Sequence, residues 1–555
     1  MFCVDFSETG RRATVAPGAT ILDAARLAGL DLESPCNRTG VCGKCRVMIS
    51  PASLENVIAP EHHAVSPAER AEGWCLACHA EVAGNIEVVR VPAMARDSGP
   101  VLREGKGATL PLVPFIAKRY ASDRDRTLVF ACLQEVGSEA GDTSRALYGA
   151  AVDIGTTTLV VSLVDLNSGR ELASVTAHNP QARYAQDVLS RIAFAGTAEG
   201  LATMQRCLVA RLNEMLAELA GKAGIVVAQI YELVFSGNTC MLHLATGHSP
   251  KSLGRYPYTP LIRGHESFSA AMLGLAISPF AQVYLPPILS PFVGADITSG
   301  ILSLQLHRQE GVFLLVDIGT NGEIVLADHG RLIATSTAAG PALEGMNIGC
   351  GMCAGPGAVE RVGHDGAGGI TYRTIGDTLP LGLCGSGLID LVATLLALGV
   401  IGANGRFAAP EALPQALEAR MRRENGATTF MLSEDVRLSQ KDIRQVQLAK
   451  GAIQAGIVAL LRHTGIGSDH IDRVLIAGAF GYHLATESLI RLRILPHEWA
   501  GKIEYVGNTS KTGGQAFLTN APSREDMGSL AAGVEIVELA GRPDFERLFV
   551  DCLSF

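Results

Sequence analysis

The sequence predicts a multidomain fold, in which a small α+β domain precedes a larger α/β domain made of two similar halves. Three observations support this prediction: a cysteine cluster near the N-terminus, a polar and turn-rich stretch before residue 111, and an Asp-Ile-Gly-Thr motif that occurs twice. A chain of 555 residues has room for about three domains of ordinary size. The predicted units are the first domain at 1–92, a flexible linker at 93–110, a short intermediate segment at 111–147 and the two-part domain at 148–555.

The composition and charge of the chain argue against several classes of function. A formal net charge of −9 argues against a nucleic-acid partner, which calls for a basic surface. The first residues lack the basic and apolar regions of a secretory signal peptide. Residues 267–295 carry no charged side chain, but four prolines interrupt them, so buried strands and turns are favoured over a membrane span. Thirteen cysteines in such a chain favour thiols and metal ligands in a reducing cytoplasm over disulfides.

The cysteines near the N-terminus have the spacing of metal ligands. Cys36, Cys42 and Cys45 form a C-x5-C-x2-C pattern on a loop with two glycines, and Cys75 and Cys78 form a separate C-x2-C pair. Three clustered thiolates and one distant thiolate are typical of a [2Fe–2S] ferredoxin loop. A four-cysteine zinc site is the nearest alternative, although such sites usually use two C-x2-C pairs. Unrelated structural thiols are the third interpretation.

The rest of the first domain fits a ferredoxin-like β-grasp, with short strands on both sides of one helix. The strands are predicted at Phe2–Phe6, Arg12–Val15, Arg46–Ile49 and Asn85–Val91, and the helix at Thr20–Ala28. The intermediate segment that follows the linker has one apolar strand candidate, Thr127–Leu133, and then an acidic turn.

Beyond residue 148 the chain repeats units of apolar strand, Gly/Thr turn and helix. Asp153 and Asp317 each open an Asp-Ile-Gly-Thr motif between two apolar strands, and Gly-Asn-Thr also occurs once in each half. Apolar residues at helical spacing predict one long helix at Gly200–Ala223, and a capping-box-like start predicts another at Ser439–His463. These repeats predict a duplicated fold with a cleft between its halves. The predicted lobes are 148–310 and 311–540.

The repeated motif has the chemistry of a hairpin that holds the phosphates of a nucleotide. Its glycines let backbone N–H groups approach phosphate oxygens, its threonines add hydroxyl donors, and its aspartates supply hard oxygen for a Mg2+ that keeps most of its waters. A later Gly-Ala-Phe-Gly turn after an apolar strand suits an adenosine. Each glycine motif alone also fits an ordinary tight turn, but their combination indicates a nucleotide cleft. Its predicted residues are Asp153, Gly155, Thr156, Thr157, Asp317, Gly319, Thr320, Asn321, Gly322, Gly478 and Gly481.

Four further residues each have two interpretations. Glu323 either orients a hydrolytic water or caps the second hairpin, and Asp296 is either a second cleft carboxylate or a helix N-cap. Ser386, in a small-residue loop before a helix at Leu388–Leu398, either approaches a large flat ligand or caps that helix. Lys511 either touches the nucleotide or lies on a solvated turn.

Two histidines and two cysteines are interpreted as structural. His243 and His483 lie in apolar surroundings, which favours satisfied core histidines over ligands. Cys350 and Cys353 form a C-x-x-C, which can be a redox pair, but beside glycine-rich loops incidental buried thiols are favoured.

The order of these motifs resembles a known superfamily. Two phosphate hairpins followed by an adenosine glycine motif are similar to acetate and sugar kinases, heat-shock chaperone ATPases and actin, which implies a duplicated ribonuclease H-like, two-lobed ATPase. With the N-terminal ferredoxin, the chain resembles the reductive activators of corrinoid proteins over about residues 1–92 and 148–540. Besides the cysteines and hairpins, the resemblance rests on Asn179-Pro-Gln-Ala-Arg-Tyr, Ser236-Gly-Asn-Thr, Gly340-Pro-Ala-Leu-Glu-Gly and Leu383-Cys-Gly-Ser-Gly.

The resemblance also implies a ligand set for the cluster. Leu76-Ala77-Cys78 is similar to the fourth-ligand segment of vertebrate- and plant-type ferredoxins, and in the relatives the position of Cys75 is usually arginine. Cys75 is then a nearby spare thiol. The implied ligands of one [2Fe–2S] cluster are Cys36, Cys42, Cys45 and Cys78.

The activity that the resemblance implies is ATP-dependent reduction of a corrinoid protein of a methyltransferase system, from Co(II) to Co(I), with one electron from the cluster. Asp153, Asp317 and Glu323 would be catalytic in the ATPase, and Ser386 would face the corrin of the partner. An external low-potential electron donor and a possible homodimer are also implied, although the intermediate segment is shorter than expected. Two alternatives stay open: an ATP-driven electron donor to another low-potential enzyme, and a redox-sensing scaffold that does not hydrolyse ATP.

Overall fold

The structure, a computed structural model, consists of an N-terminal domain, a three-stranded sheet and two lobes that each contain a six-stranded sheet. The residues that it describes are 1–30, 32, 34, 38, 40, 43–62, 64–91, 107, 110–365, 369–424, 427–478, 484–540 and 542–555.

The N-terminal domain is a five-stranded sheet with helix α1 packed on it, as expected for a β-grasp. Its strand order is β2-β1-β7-β3-β5, with β1 and β7 parallel. Helix α1 begins after Thr20, because Thr20 and Asp23 form a capping box. The elements are β1 (Phe2–Phe6), β2 (Arg11–Val15), α1 (Ile21–Leu27), β3 (Arg46–Ile49), β4 (Val57–Ile58), α2 (Pro67–Ala71), β5 (Trp74–Leu76), β6 (Glu81–Val82) and β7 (Ile86–Arg90).

The intermediate segment forms an antiparallel sheet of three strands, β8 (Ile116–Ala121), β9 (Arg126–Ala131) and β10 (Gln134–Ala140). The sequence predicts only the middle strand of this sheet, followed by an acidic turn where β10 lies. That prediction was wrong because β10 is mostly polar and exposed, and therefore lacks the alternation that marks a half-buried strand. The sheet is fixed to the first lobe by Lys118, whose Nζ lies 2.7 Å from the Tyr231 hydroxyl and 2.8 Å from Glu139.

The first lobe has the strand order β13-β12-β11-β14-β16-β15. The long helix α4 begins after the capping residue Thr197 and ends at Gly224, which has a φ of 68°, as helix C-termini often require. The elements are β11 (Tyr148–Ile154), β12 (Thr158–Asp165), β13 (Glu171–His178), α3 (Val188–Phe194), α4 (Ala198–Ala223), β14 (Ile230–Gly237), α5 (Thr239–Thr246), β15 (Glu266–Ser269), β16 (Gln282–Leu285) and α6 (Ala295–Leu304).

The second lobe has the main sheet β27-β26-β17-β18-β19-β28 and two small three-stranded sheets. Its strands are β17 (Val312–Ile318), β18 (Gly322–Asp328), β19 (Arg331–Thr337), β20 (Ala358–His364), β21 (Ile370–Thr374), β22 (Gly382–Leu383), β23 (Met421–Glu424), β24 (Ala427–Met431), β25 (Arg437–Ser439), β26 (Arg473–Ala477), β27 (Ile503–Gly507) and β28 (Glu535–Ile536). The helices of this part of the chain are α7 (Gly385–Ala397), α8 (Gln415–Glu418), α9 (Gln440–Thr464), α10 (Thr486–Arg491), α11 (Thr509–Thr519), α12 (Pro522–Ala531) and α13 (Pro543–Asp551).

The two lobes repeat one strand arrangement. In the first lobe β11 pairs antiparallel with β12 and parallel with β14, and in the second β17 pairs antiparallel with β18 and parallel with β26. This repetition confirms the predicted duplication. It also places the two Asp-Ile-Gly-Thr motifs at the ends of equivalent inner strands.

Helix α11 follows the second-lobe strand β27 but packs on the first lobe. A Cβ at Gly513 would lie 2.0 Å from the carbonyl oxygen of Ser299 in α6, and a Cβ at Gly514 would lie 3.1 Å from the Cβ atom of Ala151 in β11. A core cluster that includes Leu315 and Phe517 lies between the two sheets. The lobes are therefore joined by buried apolar surface.

A buried ion pair lies where the intermediate segment, the first lobe and α12 meet. Arg524 Nη2 lies 2.7 Å from Glu232 Oε1, and both side chains are almost completely buried. The Arg524 guanidinium also stacks on the rings of Phe115 and Tyr284, at 4.4 and 4.3 Å from their centroids. The arginine thus holds three parts of the chain together.

The uncharged run at 267–295 contains β15 residues, β16 and turns, as predicted. In the described parts of the chain, no helix has the length and apolar character that crossing a membrane requires.

We expect Arg524→Met to lower the free energy of unfolding by about 3–5 kcal/mol, because it leaves the Glu232 carboxyl buried without its cation. Burial raises the pKa of Glu232, so its protonated form predominates at low pH and the loss should grow as the pH rises. Denaturant unfolding at pH 5 and pH 8 measures both effects. The control is Arg308→Met, which breaks an exposed ion pair to Asp526 of the same helix α12 and should cost no more than about 1 kcal/mol. Equal losses of unfolding free energy in Arg524→Met and Arg308→Met would contradict the stabilising role of the buried Arg524–Glu232 pair.

Candidate functional site

A cavity of about 270 Å³ lies between the two hairpins. Its walls come from the β11–β12 turn, the β17–β18 turn and the first turns of α6 and α7. Most of the predicted nucleotide residues line it, although they come from distant parts of the sequence. They are Asp153, Gly155, Thr156, Thr157, Asp317, Gly319, Thr320, Asn321 and Gly478, and Glu323 and Ser386, which were predicted to have other roles, line it too.

Two predicted nucleotide residues do not belong to this lining. Gly322 is the first residue of β18 and pairs with Thr337, and a Cβ there would lie 2.8 Å from the Thr337 hydroxyl. Its lack of a side chain therefore serves strand packing. Gly481 lies outside the described residues.

Two glycines of the cavity have no room for a side chain. A Cβ at Gly155 would lie 2.5 Å from the carbonyl oxygen of Thr158, and the Gly155 N–H donates to that same oxygen. Gly478 has a φ of 101°, and a Cβ there would lie 2.5 Å from the carbonyl oxygen of Ile318 and 2.9 Å from Asp317 Oδ1. Backbone can approach a ligand closely at both places.

Asp153 is held in one orientation at the end of β11. Its carboxylate accepts hydrogen bonds from Asn508 Nδ2 and Ser510 Oγ, both at 2.8 Å. Burial raises the pKa of Asp153, and these two hydrogen bonds oppose the rise. The donors come from the junction of β27 and α11, so that junction orients a carboxylate of the first hairpin.

The other acidic side chains of the cavity repel one another. The pKa of Asp296 is raised to about 7, chiefly by burial and also by repulsion from Asp153. The pKa of Asp317 is raised to about 8, chiefly by burial and also by repulsion from Asp296 and Asp153. Burial and the charges of Asp296 and Asp317 raise the pKa of Glu323 well above its ordinary value. Such carboxyl groups keep protons near neutral pH unless a cation binds beside them. The donor set therefore fits a hard divalent cation.

Among the residues that the structure describes, no group of three acidic, histidine or cysteine side chains could hold a metal ion by itself. At nucleotide sites Mg2+ usually keeps several waters and is held by one or two carboxylates and by phosphate oxygens.

Asp296 faces this cavity from the first turn of α6. The N-cap of α6 is Gly294, so the interpretation of Asp296 as the N-cap was wrong, and the interpretation as a cleft carboxylate is the one that its position fits.

The polar residues of the cavity that sequence reasoning missed include Asn238, Glu344, Asn508 and Ser510. The two asparagines belong to the Gly-Asn-Thr repeat, which was recognised as a repeat but given no role. Asn238, the N-cap of α5, donates from Nδ2 to Thr156 Oγ1 at 3.1 Å, and Asn508, the N-cap of α11, donates to Asp153. The repeated Gly-Asn-Thr sequence was therefore the signal that could have found both.

Ser386 and Lys511 are not where the sequence suggested. The small-residue loop at 384–387 is the first turn of α7, because α7 begins at Gly385 with Cys384 as N-cap. Ser386 is 3% exposed and lines the nucleotide cavity, not an outer surface that a corrin could reach. Lys511 is a buried residue of α11 whose Nζ lies 2.8 Å from Glu171 Oε2, so both interpretations of it were wrong.

His243 is a satisfied core histidine, as predicted. Its ring nitrogens lie 2.7 Å from the Thr239 carbonyl oxygen and 2.9 Å from the Leu261 N–H. His483 lies outside the described residues.

The structure describes two of the four predicted cluster ligands, Cys45 and Cys78. Cys45 Sγ lies 3.2 Å from Cys78 Sγ, and the hydrogen bond with Cys78 lowers the pKa of Cys45 to about 7. Cys75 is buried in β5, where burial raises its pKa to about 12. Metal ligation requires thiolates, so this geometry fits Cys45 and Cys78 as ligands and Cys75 as a neutral thiol. Cys36 and Cys42 lie outside the described residues.

Comparison with protein families matches three regions of the chain. Residues 4–83 match the 2Fe-2S iron-sulfur cluster binding domain, residues 148–309 the RACo middle region, and residues 311–555 the C-terminal domain of RACo, the ASKHA domain. The chain therefore carries a [2Fe–2S] domain and an ATPase-type domain, as predicted, and the zinc interpretation is set aside.

Comparison with whole proteins decides the family. The corrinoid activation enzyme RamQ of Eubacterium limosum is 35% identical over 425 residues, which are 74% of this chain and 71% of that protein. The chain belongs to the family of corrinoid activation proteins. A second relative is the [Co(II) methylated amine-specific corrinoid protein] reductase of Methanosarcina barkeri. It is 28% identical over 432 residues, which are 74% of this chain and 77% of that protein.

A solved structure within this family confirms the predicted fold class. A reductive activator for corrinoid, iron-sulfur protein superposes on this chain with a TM-score of 0.74 at 28% identity. The match covers 100% of this chain and 98% of that one.

We expect Cys78→Ser to change the visible and EPR spectra of the cluster and to lower the iron content, because it removes a thiolate that lies against Cys45. The matched control is Cys75→Ser, which changes a buried neutral thiol three residues away and should leave the spectra intact. Equal losses in the two full-length variants would reject Cys78 as the fourth ligand.

We expect the binding of Mg2+–ADP to release protons at pH 7, because Asp317 and Asp296 have pKa values of about 8 and 7 and must ionise beside the cation. Titration calorimetry in buffers of different ionisation enthalpy measures this release. It should decrease as the pH rises through 8, because a growing share of Asp317 and Asp296 is then ionised before the nucleotide binds, and it should be smaller in Asp296→Asn. A binding heat that does not depend on the buffer at pH 7 would show that no protons are released, and would contradict a cation site beside Asp317 and Asp296.

Proposed function

We propose that the chain is an ATP-dependent reductive activator that passes one electron from its [2Fe–2S] cluster to the Co(II) of a corrinoid protein and restores Co(I) for methyl transfer. The observation that carries the proposal is that a cluster domain and a carboxylate-lined cleft between two lobes occur in one chain. The names of its relatives, a corrinoid activation enzyme and a Co(II) corrinoid protein reductase, support the choice of substrate.

The energetics explain why a cluster and an ATPase would be joined. A plant-type [2Fe–2S] cluster lies at roughly −400 mV, and reduction of Co(II) to Co(I) needs a lower potential. Each deficit of about 59 mV costs a factor of ten in a one-electron equilibrium. ATP offsets the deficit only if its binding or hydrolysis favours one conformation of the complex over another. Each turnover also removes one electron, so an external low-potential donor must reduce the cluster again.

In this proposal the two hairpins hold the phosphates of ATP, and Asp153 and Asp317 hold the Mg2+. A bound Mg2+ would neutralise phosphate charge and stabilise the charge that develops during hydrolysis. Asp153 is ready for this role because Asn508 and Ser510 fix its orientation. Gly478 provides a flat backbone surface, which suits the adenosine.

Glu323 is the proposed residue that orients the hydrolytic water. Burial raises the pKa of Glu323, and the charges of Asp296 and Asp317 raise it further. A cation that neutralises those charges lowers the pKa of Glu323 and gives it the ionised form that a general base requires. Hydrolysis would then depend on correct loading of the cleft.

We expect Asp317→Asn to reduce both ATP hydrolysis and Co(I) formation by roughly a hundredfold, because it removes charge beside the Mg2+. The measurements are phosphate release and the absorbance of Co(I) in a corrinoid protein, with the full-length chain and a chemical low-potential reductant. The control is Asp123→Asn, which changes an exposed carboxylate and should have no effect.

Co(I) formation at the wild-type rate by Asp317→Asn would overturn the proposed coupling. A wild-type chain that hydrolyses ATP but reduces no corrinoid protein would instead favour the alternative of another low-potential acceptor.

A further inference from the structure

A short segment of the second lobe touches both phosphate hairpins. Thr320 Oγ1, in the second hairpin, donates to Glu344 Oε1 at 2.7 Å. Thr157 Oγ1, in the first hairpin, lies 3.7 Å from the sulfur of Met346. The hydroxyls that the nucleotide would need are therefore engaged by the segment at 344–346.

The same segment is in backbone contact with a glycine-rich loop at 349–353. A Cβ at Gly351 would lie 1.9 Å from the carbonyl oxygen of Gly345, and a Cβ at Gly345 would lie 2.8 Å from that of Met352. No side chain separates the two backbones, so a displacement of Gly345 must be transmitted to Gly351.

The glycine-rich loop also contacts the cluster domain. Lys44, which directly precedes the ligand Cys45, donates from Nζ to the carbonyl oxygen of Gly351 at 2.8 Å. Cys353, at the other end of the loop, lines the nucleotide cavity. One continuous set of contacts thus joins the phosphate hairpins to the cluster-binding loop.

We propose that a nucleotide in the cleft releases the cluster-binding loop from its seat at 349–353, with Glu344 as the positioning residue that links the two sites. The inference rests on the proposed function only in requiring that the cleft binds a nucleotide. Phosphate oxygens compete with Glu344 for the Thr320 hydroxyl. Glu344 withdraws, Gly345 moves with it, and the seat at Gly351 changes shape.

In this arrangement, nucleotide binding would determine whether the cluster domain is seated or released. Without nucleotide, the cluster domain is seated beside the cleft through Lys44, and with nucleotide it is released towards a partner protein. The coupling must be reciprocal, because two binding events that disfavour each other do so by the same factor in both directions. A variant that cannot seat the cluster domain must therefore bind the nucleotide more tightly.

The test measures the affinity of the full-length chain for ADP and for AMPPNP, each with Mg2+, by titration calorimetry. We expect Lys44→Ala to bind AMPPNP about fivefold more tightly than the wild type, at the low end of ordinary coupling factors. Lys251→Ala, at an exposed lysine of the first lobe, should leave the affinity unchanged. In a Glu344→Gln background, the effect of Lys44→Ala should fall below about twofold, since the linking carboxylate is gone.

A second measurement needs no substitution. A short pulse of an acetylating reagent, followed by mass spectrometry, should modify Lys44 at least about threefold faster when AMPPNP is present, while Lys251 is modified at a constant rate. Equal affinities in Lys44→Ala and the wild type, or a Lys44 rate that AMPPNP does not change, would overturn this inference alone. A wild-type chain that binds neither nucleotide would overturn the proposed cleft as well.

Discussion

The cleft depends on one electrostatic constraint, which is that several carboxyl groups share a small buried cavity. Charges of one sign repel strongly where little water screens them. Burial and this repulsion raise the pKa values of Asp296, Asp317 and Glu323, and Asp153 accepts hydrogen bonds from two donors. A phosphate alone would add to the repulsion, whereas a phosphate with its cation relieves it. The acidic lining therefore favours a cation–phosphate complex over a phosphate alone.

The sheets explain how these groups can be brought so close. Each hairpin continues an inner strand of a six-stranded sheet, and the strands β11 and β17 end at the cleft. Both strands are almost entirely buried, so the hairpins have little freedom to move apart. The stability of two apolar sheets thus offsets the cost of the acidic cavity between them.

Much of this organisation could be predicted from sequence, because the cysteine spacing and the repeated motif each have few physical explanations. The errors have physical causes too. Strand β10 is polar on both faces, so no hydrophobic period reveals it. Lys511 is buried because Glu171, distant in sequence, neutralises it. Glu344 lies in a glycine-rich motif whose residues look like an ordinary turn, and only the fold shows that its carboxylate meets Thr320.

Helix α11 also has a consequence for how the chain matures. Asp153 is bonded to Asn508 and Ser510, and Glu171 is bonded to Lys511. These partners lie in α11 or at its start, 340 to 357 residues further along the chain. During synthesis, the first lobe must therefore wait for almost the whole chain before its sheet is covered. The N-terminal domain has its own core and needs no such partner. A newly made chain can thus acquire its iron before it can use a nucleotide.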